Sequence, residues 1–174
     1  FYSLVVRSDL GLNSGASARD IAQALSGKRI GVIAAGSNNE RFTQALISAG
    51  GVDSAKVTYV PLGGPANQLA AMTQKNIEAH LGWEPFLTIT SLRGLGKVVI
   101  DCRIPGQCPE ALEKPGGAFQ TYYTTRSFLD SNPKTVEAFV RAHQKIDAWV
   151  HDPKNRTALV EAVARLVPPS AGVD

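Results

Sequence analysis

The stretch RIGVIAAGSNNERFTQALISAGGVDSAKVTYVPL, residues 29–62, decides the fold because it places a helix pattern between two strand patterns. RIGVIA is a short apolar run typical of a buried parallel strand, and KVTYVPL is a second strand pattern. Between them, Ser37 can cap a helix that begins near Asn38, and Glu40 can reach back to that cap. The stretch therefore predicts a βαβ unit.

Similar patterns continue on both sides of this unit. RDIAQALSGK and ANQLAAMTQ read as helices, IEAHLGW and KVVIDC read as strands, and a further helix follows Glu84-Pro85. We therefore predict an α/β fold with a parallel sheet and helices on both faces over residues 27–101. FYSLVVRSD and AFQTYYTT are further strand patterns, and residues 131–153 and 155–167 are further helix patterns.

Composition favours a globular protein that does not bind nucleic acid. The 174 residues are 44% hydrophobic and 19% charged, which suffices for one good core. The formal charge of +3 comes from scattered Lys and Arg, so the clustered basic face of a nucleic-acid-binding protein is missing from the sequence. No apolar run approaches the roughly 20 residues of a membrane span, and FYSLVVRSD has no signal-peptide pattern.

The cysteines and histidines do not form a recognisable metal or catalytic set. Cys102 and Cys108 bracket RIPGQ, and they can form a disulfide or remain two free thiols. The three histidines, at positions 80, 143 and 151, lie far apart in the sequence, so we predict no metal site. The P-loop, dinucleotide and nucleophile-elbow motifs are absent, so we predict no cofactor and no catalytic residue.

Three turns point to a binding site at one edge of the predicted sheet. Residues 36–39, 63–65 and 83–85 each follow a strand, and ligands of parallel sheets bind at that edge, where helix N-termini expose backbone N–H groups. A small anion is the natural occupant. Each turn also has a purely structural interpretation: Ser37 caps a helix, the glycines make a tight turn, and Trp83 belongs to a core.

Six segments also keep the order and spacing of a known family. They are LSGKRIGV, GSNNERF, ALISAGGVDSAKVTYVPLGGPANQLAAM, IEAHLGWEPF, GKVVID and TTRSFLDSNPKTVEAFVRAHQKIDAWV. Together they resemble the periplasmic substrate-binding proteins of ABC importers for alkanesulfonates, taurine, nitrate and related compounds, over nearly all of residues 1–167. The resemblance implies a two-lobed, hinged α/β fold of type II, which closes over a small and often anionic ligand.

The resemblance also implies which residues meet the ligand. By position they are Ser37, Asn38, Asn39, Gly64, Trp83 and Glu84, with Tyr122 or Tyr123 as a further candidate. The chain departs from the family where Gly-x-[VI]-Asp-Ala becomes KNIEA, so that Lys75 stands near the Gly position and Glu78 replaces the Asp. A second departure is the segment of residues 102–117, which is particular to this chain or to a subgroup of the family.

The resemblance divides the chain between two lobes. Residues 11–101 would form the second lobe, residues 1–10 and 118–174 would supply a crossing strand and returning helices of an incomplete first lobe, and residues 102–117 would connect them. Relatives extend beyond both ends of this pattern, so we expect an interior fragment. In such a fragment standing alone, apolar surface on FYSLVV and on the long helix should be exposed and should favour association.

The function implied is capture of a small-molecule ligand for an ABC transporter permease, in the periplasm or outside the cell on a membrane tether. One alternative is an enzyme on the same fold, of the thiamine-precursor or carbon–sulfur cleavage type, although the cysteines are expected to lie away from the three turns. Another is the effector-sensing domain of a transcription regulator, which would need a DNA-binding segment upstream. Glu84 would favour an amine-bearing ligand if it points inward.

Overall fold

Five strands form one mixed sheet in the computed structural model, which describes residues 2–108 and 121–166. The strands are Ser3–Arg7 (β1), Arg29–Val32 (β2), Thr58–Pro61 (β3), Ala79–Gly82 (β4) and Gly96–Asp101 (β5). Their order across the sheet is β3-β2-β4-β1-β5. β2 pairs in parallel with β3 and β4, whereas β1 pairs antiparallel with β4 and β5. Four strands therefore run in one direction and β1 runs against them.

The helices of this sheet lie where the sequence predicts them. They are Ala18–Leu25 (α1), Asn38–Ala49 (α2), Pro65–Thr73 (α3) and Phe86–Leu92 (α4), with short 3-10 turns at Ser8–Leu10 and Ser54–Lys56. α2 ends in Gly50 and Gly51, and Gly51 has the positive φ of 81° that glycine adopts at helix ends. The strands β2 to β5 also match their predicted positions.

β1 lies between β4 and β5 in the sheet and is buried on both faces. Leu4 and Val6 pack with α1 and α2, whereas Val5 packs with α3 and α4, as the alternation of side chains along a strand requires. The predicted α/β sheet with helices on both faces is therefore confirmed. The expectation that apolar surface on FYSLVV is exposed is wrong, because residues 4–6 are at most 1% exposed.

The chain separates into two compact units, Phe1–Phe119 and Gln120–Asp174. β1 shares the core of the first unit, and its pairing with β4 and β5 was not evident from its local sequence pattern. Assignment of residues 1–10, 11–101 and 118–174 to lobes of a larger fold stays a prediction, as does the connecting role of residues 102–117.

Lys75 and Glu78 have clear structural roles in the first unit. Lys75 adopts a positive φ of 58°, which agrees with the family's glycine near this position. Glu78 accepts hydrogen bonds from the Arg29 side chain at 2.7 and 3.2 Å and from Arg7 at 3.3 Å. The longer acid therefore joins β1, β2 and β4 through two arginines.

The second unit contains three helices in its described part. They are Arg126–Ser131 (α5), Pro133–His151 (α6) and Arg156–Leu166 (α7), with a 3-10 turn at Pro153–Asn155. α6 and α7 match the two predicted helices, whereas α5 was not predicted. The strand predicted over residues 118–125 is wrong for residues 121–125, which belong to no strand, and residues 118–120 lie outside the described part.

Apolar side chains on α6 remain exposed, as predicted for the long helix. Phe139, Val140 and Ile146 are 44 to 57% exposed. His143 is half-buried, its Nδ1 lies 3.0 Å from the Phe139 carbonyl oxygen, and its ring makes an edge-to-face contact with that of Tyr122. His143 is therefore a satisfied side chain on this stripe, as the sequence indicated.

Candidate functional site

The three predicted turns meet at one edge of the sheet because β3, β2 and β4 are parallel neighbours. Backbone hydrogen bonds of 2.9 Å join residues 62–63 to residues 32–33, which holds the second turn beside the first. The Asn39 side chain donates to the Leu81 carbonyl oxygen at 2.9 Å, which holds the first turn beside the third. We name the surface formed by residues 36–39, 63–64 and 83–84 the turn edge.

Ser37 caps α2 as the sequence predicts, whereas Glu40 reaches back to Gly36, the residue before the cap. Its Oγ accepts a hydrogen bond from the Glu40 amide at 3.3 Å, and the Glu40 carboxylate accepts one from the Gly36 amide at 2.7 Å. These two acceptors occupy two backbone donors of the helix start. The amides of Asn38 and Asn39 are not among those two, and the Asn38 side chain is exposed. The start of α2 can thus cap itself and still offer N–H groups to an anion.

Asn39 lies inside the protein rather than at its surface. The residue is 1% exposed, and its Nδ2 makes the hydrogen bond to Leu81. Its Oδ1 is buried and has no hydrogen-bond partner among the described residues. The geometry gives Asn39 a role in holding the turn edge together, and a direct contact with a ligand stays a prediction.

Gly64 is the N-cap residue of α3 and has no side chain to cover the helix end. Gly63, before it, has a positive φ of 73°, which allows the tight turn, and Pro65 occupies the first helical position. The Asn67 side chain donates to the Leu62 carbonyl oxygen at 2.8 Å and so closes the turn from behind. Gly64 is exposed, so a ligand can approach the backbone closely here.

Trp83 forms an aromatic wall at the turn edge together with Tyr2. The two ring centroids are 6.2 Å apart, and Tyr2 also contacts Phe42 at 5.7 Å. Trp83 remains 37% exposed. Because β1 is antiparallel, its first residues reach the same edge as the last residues of its neighbours, which brings Tyr2 to Trp83.

The Glu84 carboxylate accepts hydrogen bonds from two residues, Thr88 and Arg103. Its Oε2 accepts from the Thr88 amide at 3.1 Å, and its Oε1 accepts from Arg103 Nη1 at 2.7 Å. Arg103 also donates to both oxygens of Asp101, at 2.7 to 3.1 Å. The Arg103 hydrogen bond is the main cause that lowers the pKa of Asp101, and the Ser3 hydroxyl adds a smaller effect in the same direction.

Cys102 and Cys108 form a disulfide, which settles the choice between a bridge and two thiols. Arg103, which follows Cys102, contacts Glu84 of the third turn, and the expectation that the cysteines themselves lie away from the three turns stays a prediction. His80 is fully buried in β4, and burial lowers its pKa to about 4. No group of three or more His, Cys, Asp or Glu in the described part of the chain could hold a metal ion.

Tyr122 and Tyr123 belong to the second unit and are 78% and 95% exposed. Tyr122 lies beside an apolar groove of about 680 Å³ within that unit. The side chains lining the groove include Phe128, Val136, Phe139, Val140 and His143. Such a lining does not suit a small anion, and a ligand contact by either tyrosine stays a prediction.

Sequence reasoning missed Tyr2, Asp101 and Arg103. Tyr2 reaches the edge through the antiparallel pairing of β1, and its short local pattern gives no direction for the strand. Arg103 lies 19 residues from Glu84, so no helical or strand periodicity connects them. The one local signal was the acid at the end of KVVID, with an arginine two residues later.

The sequence profile of the NMT1-like family matches residues 4–164. A comparison with curated protein sequences gave no match. In the described part of the chain, no helix combines the length and apolar character needed to cross a membrane.

Several solved structures share the fold. A protein from Bordetella bronchiseptica RB50 is 20% identical with a TM-score of 0.70, over 98% of this chain and 50% of its own. The alkanesulfonate-binding protein SsuA from Xanthomonas axonopodis pv. citri, bound to MOPS, is 18% identical with a TM-score of 0.66, over 98% of this chain and 52% of its own. The periplasmic aliphatic sulphonate binding protein SsuA from Escherichia coli is 17% identical with a TM-score of 0.66, over 99% of this chain and 51% of its own. The chain spans about half the length of each.

Proposed function

The chain belongs to the NMT1-like family, and from this membership we propose that it is part of the extracytoplasmic solute-binding component of an ABC importer. The observation that carries the proposal is the turn edge, where the starts of α2 and α3 lie side by side after parallel strands. Helix starts carry partial positive charge and unpaired N–H groups, so their natural ligand is a small anion.

The ligand that we propose is a small organic sulfonate or a similar anion. Two structures with the same fold are named as alkanesulfonate or aliphatic sulphonate binding proteins. In this chain, the exposed backbone at Asn38 and at Gly64 would meet the anionic group, while Trp83 and Tyr2 would cover its apolar part. Taurine and nitrate are related alternatives that the same donors can accept.

The proposed mechanism is lobe closure without chemistry. A ligand that binds a closed state more tightly than an open state shifts the population toward the closed state, which a membrane permease can then recognise. In this proposal the turn edge belongs to the second lobe, and the first lobe of the fold closes over it. Location in the periplasm, or outside the cell on a membrane tether, follows from the same proposal.

The enzymatic alternative finds little support in the side chains that it would need. Both cysteines form the disulfide, so neither is present as the thiolate, which is the nucleophilic form of cysteine. His80 is enclosed in β4 with no exposed surface. A binding role therefore accounts for the arrangement better than catalysis.

The test of the proposal is calorimetric titration of the intact protein with ethanesulfonate, compared with propionate and ethylamine. Wild-type protein should bind the sulfonate, and Ser37→Gly should bind it about tenfold or more weakly if the hydroxyl contacts the anion. Glycine at an N-cap costs helix stability only a few tenths of a kcal/mol. The matched control is Ser17→Gly, because Ser17 caps α1 through the Asp20 amide at 3.1 Å.

Two negative results are possible, and only the first counts against the proposed function. Failure of the wild-type protein to bind ethanesulfonate and propionate would overturn the solute-binding function for small anions. Equal binding by Ser37→Gly and Ser17→Gly would limit Ser37 to capping and leave the backbone amides as the ligand contacts.

A further inference from the structure

Arg103 connects the ends of two strands that do not pair with each other. Its Nε and Nη2 donate to Asp101 at the end of β5, and its Nη1 donates to Glu84 just beyond the end of β4. β1 lies between these strands in the sheet. The guanidinium therefore spans the carboxyl edge of the sheet and reaches the third turn of the turn edge.

The disulfide loop holds this arginine in place. Arg103 follows Cys102 inside the ring closed by Cys102 and Cys108, and its own amide donates to Asp101 Oδ1 at 3.0 Å. The Ile104 amide bonds the Asp101 carbonyl oxygen at 3.0 Å, which adds a backbone turn at the start of the ring. A closed ring restricts the positions open to the loop, so the arginine side chain starts from a fixed backbone.

The Glu84 carboxylate links this arrangement to ligand binding, because its negative charge lies at the turn edge. It adjoins Trp83, and a carboxylate without a partner there would repel an anion that approaches the helix starts. The Glu84 and Arg103 side chains are 40% and 43% exposed, and exposed ion pairs of this kind add little to stability. Stability alone therefore gives little reason for the pair, whereas its effect on local charge is direct.

We propose that Arg103 is a specificity-determining residue, which pairs with Glu84 so that the turn edge accepts an anionic ligand, and that the Cys102–Cys108 loop holds it there. The inference rests on the proposed function, because it assigns the charge preference of the same site. Arginine suits the task because its five N–H donors form a planar fork that can serve two carboxylates and still have donors left.

The experiment measures binding of ethanesulfonate and ethylamine to the intact protein by calorimetry at low and fixed salt. Arg103→Met removes the charge while keeping an unbranched apolar chain, so affinity for ethanesulfonate should fall about tenfold. The double variant Arg103→Met/Glu84→Gln should recover part of that affinity, because the Glu84 charge is gone while Asp101 keeps its charge and the hydrogen bond from Ser3. A purely structural role of Arg103 would not give this recovery.

Loop closure is tested with Cys102→Ser/Cys108→Ser, which opens the ring without a reductant. This variant should bind ethanesulfonate more weakly than the wild-type protein, as Arg103→Met does. Adding Arg103→Met to the two serine substitutions should lower the affinity no further. Circular dichroism and urea unfolding confirm that each variant is folded before titration.

The outcomes separate the inference from the proposed function. If wild-type protein binds ethanesulfonate and Arg103→Met binds it equally well, the inference is overturned and the solute-binding function stands. The inference is also overturned if Glu84→Gln fails to restore binding in the Arg103→Met background. Absence of binding by the wild-type protein to any of the anions overturns both.

Discussion

The Asn39 side chain donates a 2.9 Å hydrogen bond to the carbonyl oxygen of Leu81, and this contact ties the start of α2 to the end of β4. The two residues are 42 positions apart in the sequence. Through this bond, a turn that follows β2 and a turn that follows β4 become one surface. The site thus depends on a buried polar contact as much as on the turns themselves.

Replacement of Asn39 by alanine should destabilise the protein measurably. It leaves the buried Leu81 carbonyl without this donor, which typically costs about 1 to 3 kcal/mol. Urea unfolding followed by tryptophan fluorescence measures the loss. Asn38→Ala is the matched control, since its side chain is exposed and its change should stay within about 0.5 kcal/mol. Equal stability of the two variants would show that the Asn39 bond contributes nothing.

Lys75→Gly should stabilise the protein by up to about 1 kcal/mol. Lys75 has a φ of 58°, where a side chain is strained and glycine is not. Gln74→Gly is the control, because Gln74 has an ordinary φ of −81° and glycine there should instead cost roughly 0.5 to 1 kcal/mol. Thermal unfolding of both variants gives the comparison. A loss of stability in Lys75→Gly would contradict the prediction.

Glu78→Gln should lower stability at neutral pH and matter less in acid. Hydrogen bonds from Arg29 are the main cause that lowers the pKa of Glu78 below its ordinary value of 4.5. A lowered folded-state pKa means that the stabilisation is present above about pH 4.5 and is lost as the pH falls through the folded pKa. We expect a cost of about 1 to 3 kcal/mol at pH 7, since charge-assisted hydrogen bonds are worth that much.

Glu137→Gln serves as the control for Glu78→Gln, because Glu137 pairs with Arg141 at 3.4 Å on an exposed helix face. Such a pair is worth less than about 1 kcal/mol. Urea titrations at pH 7 and pH 3.5 compare the variants. A Glu78→Gln cost that stays constant across this range would argue against the ion pair as its source.

His80→Leu should flatten the dependence of stability on pH. Burial lowers the pKa of His80 to about 4, so the unfolded chain takes up a proton at a higher pH than the folded chain. Stability therefore falls as the pH drops from about 6.5 to about 4, by roughly 3 kcal/mol from this group. Unfolding free energies at pH 7, 5.5 and 4.5 test this. An unchanged slope in His80→Leu would contradict it.

The elements that the sequence predicted well are those with local signals. Ser37 and Glu40 mark the start of α2, Gly51 marks its end, and the strands around it are short apolar runs between turns. These features depend on backbone hydrogen bonds and φ preferences within a few residues, so local sequence patterns predict them. The turn edge followed from the parallel order of the strands.

The features that the sequence did not predict depend on distant contacts. β1 has a plain strand pattern, but its antiparallel place between β4 and β5 is set by the core on both of its faces. Arg103 meets Glu84 because the disulfide loop folds back over the sheet edge. Residues 121–125 contain aromatic and β-branched side chains but pair with no strand in the described part of the chain, and strand formation depends on such pairing.

The measurement that tests the central claim most directly is native mass spectrometry of the intact protein, purified gently from its own cells without added ligand. The account predicts a retained small anion, of a few hundred daltons or less, and loss of that adduct when Ser37 and Trp83 are both replaced by alanine. A protein that carries no small molecule, and that gains none from a panel of sulfonates, carboxylates and amines, would contradict a solute-binding function.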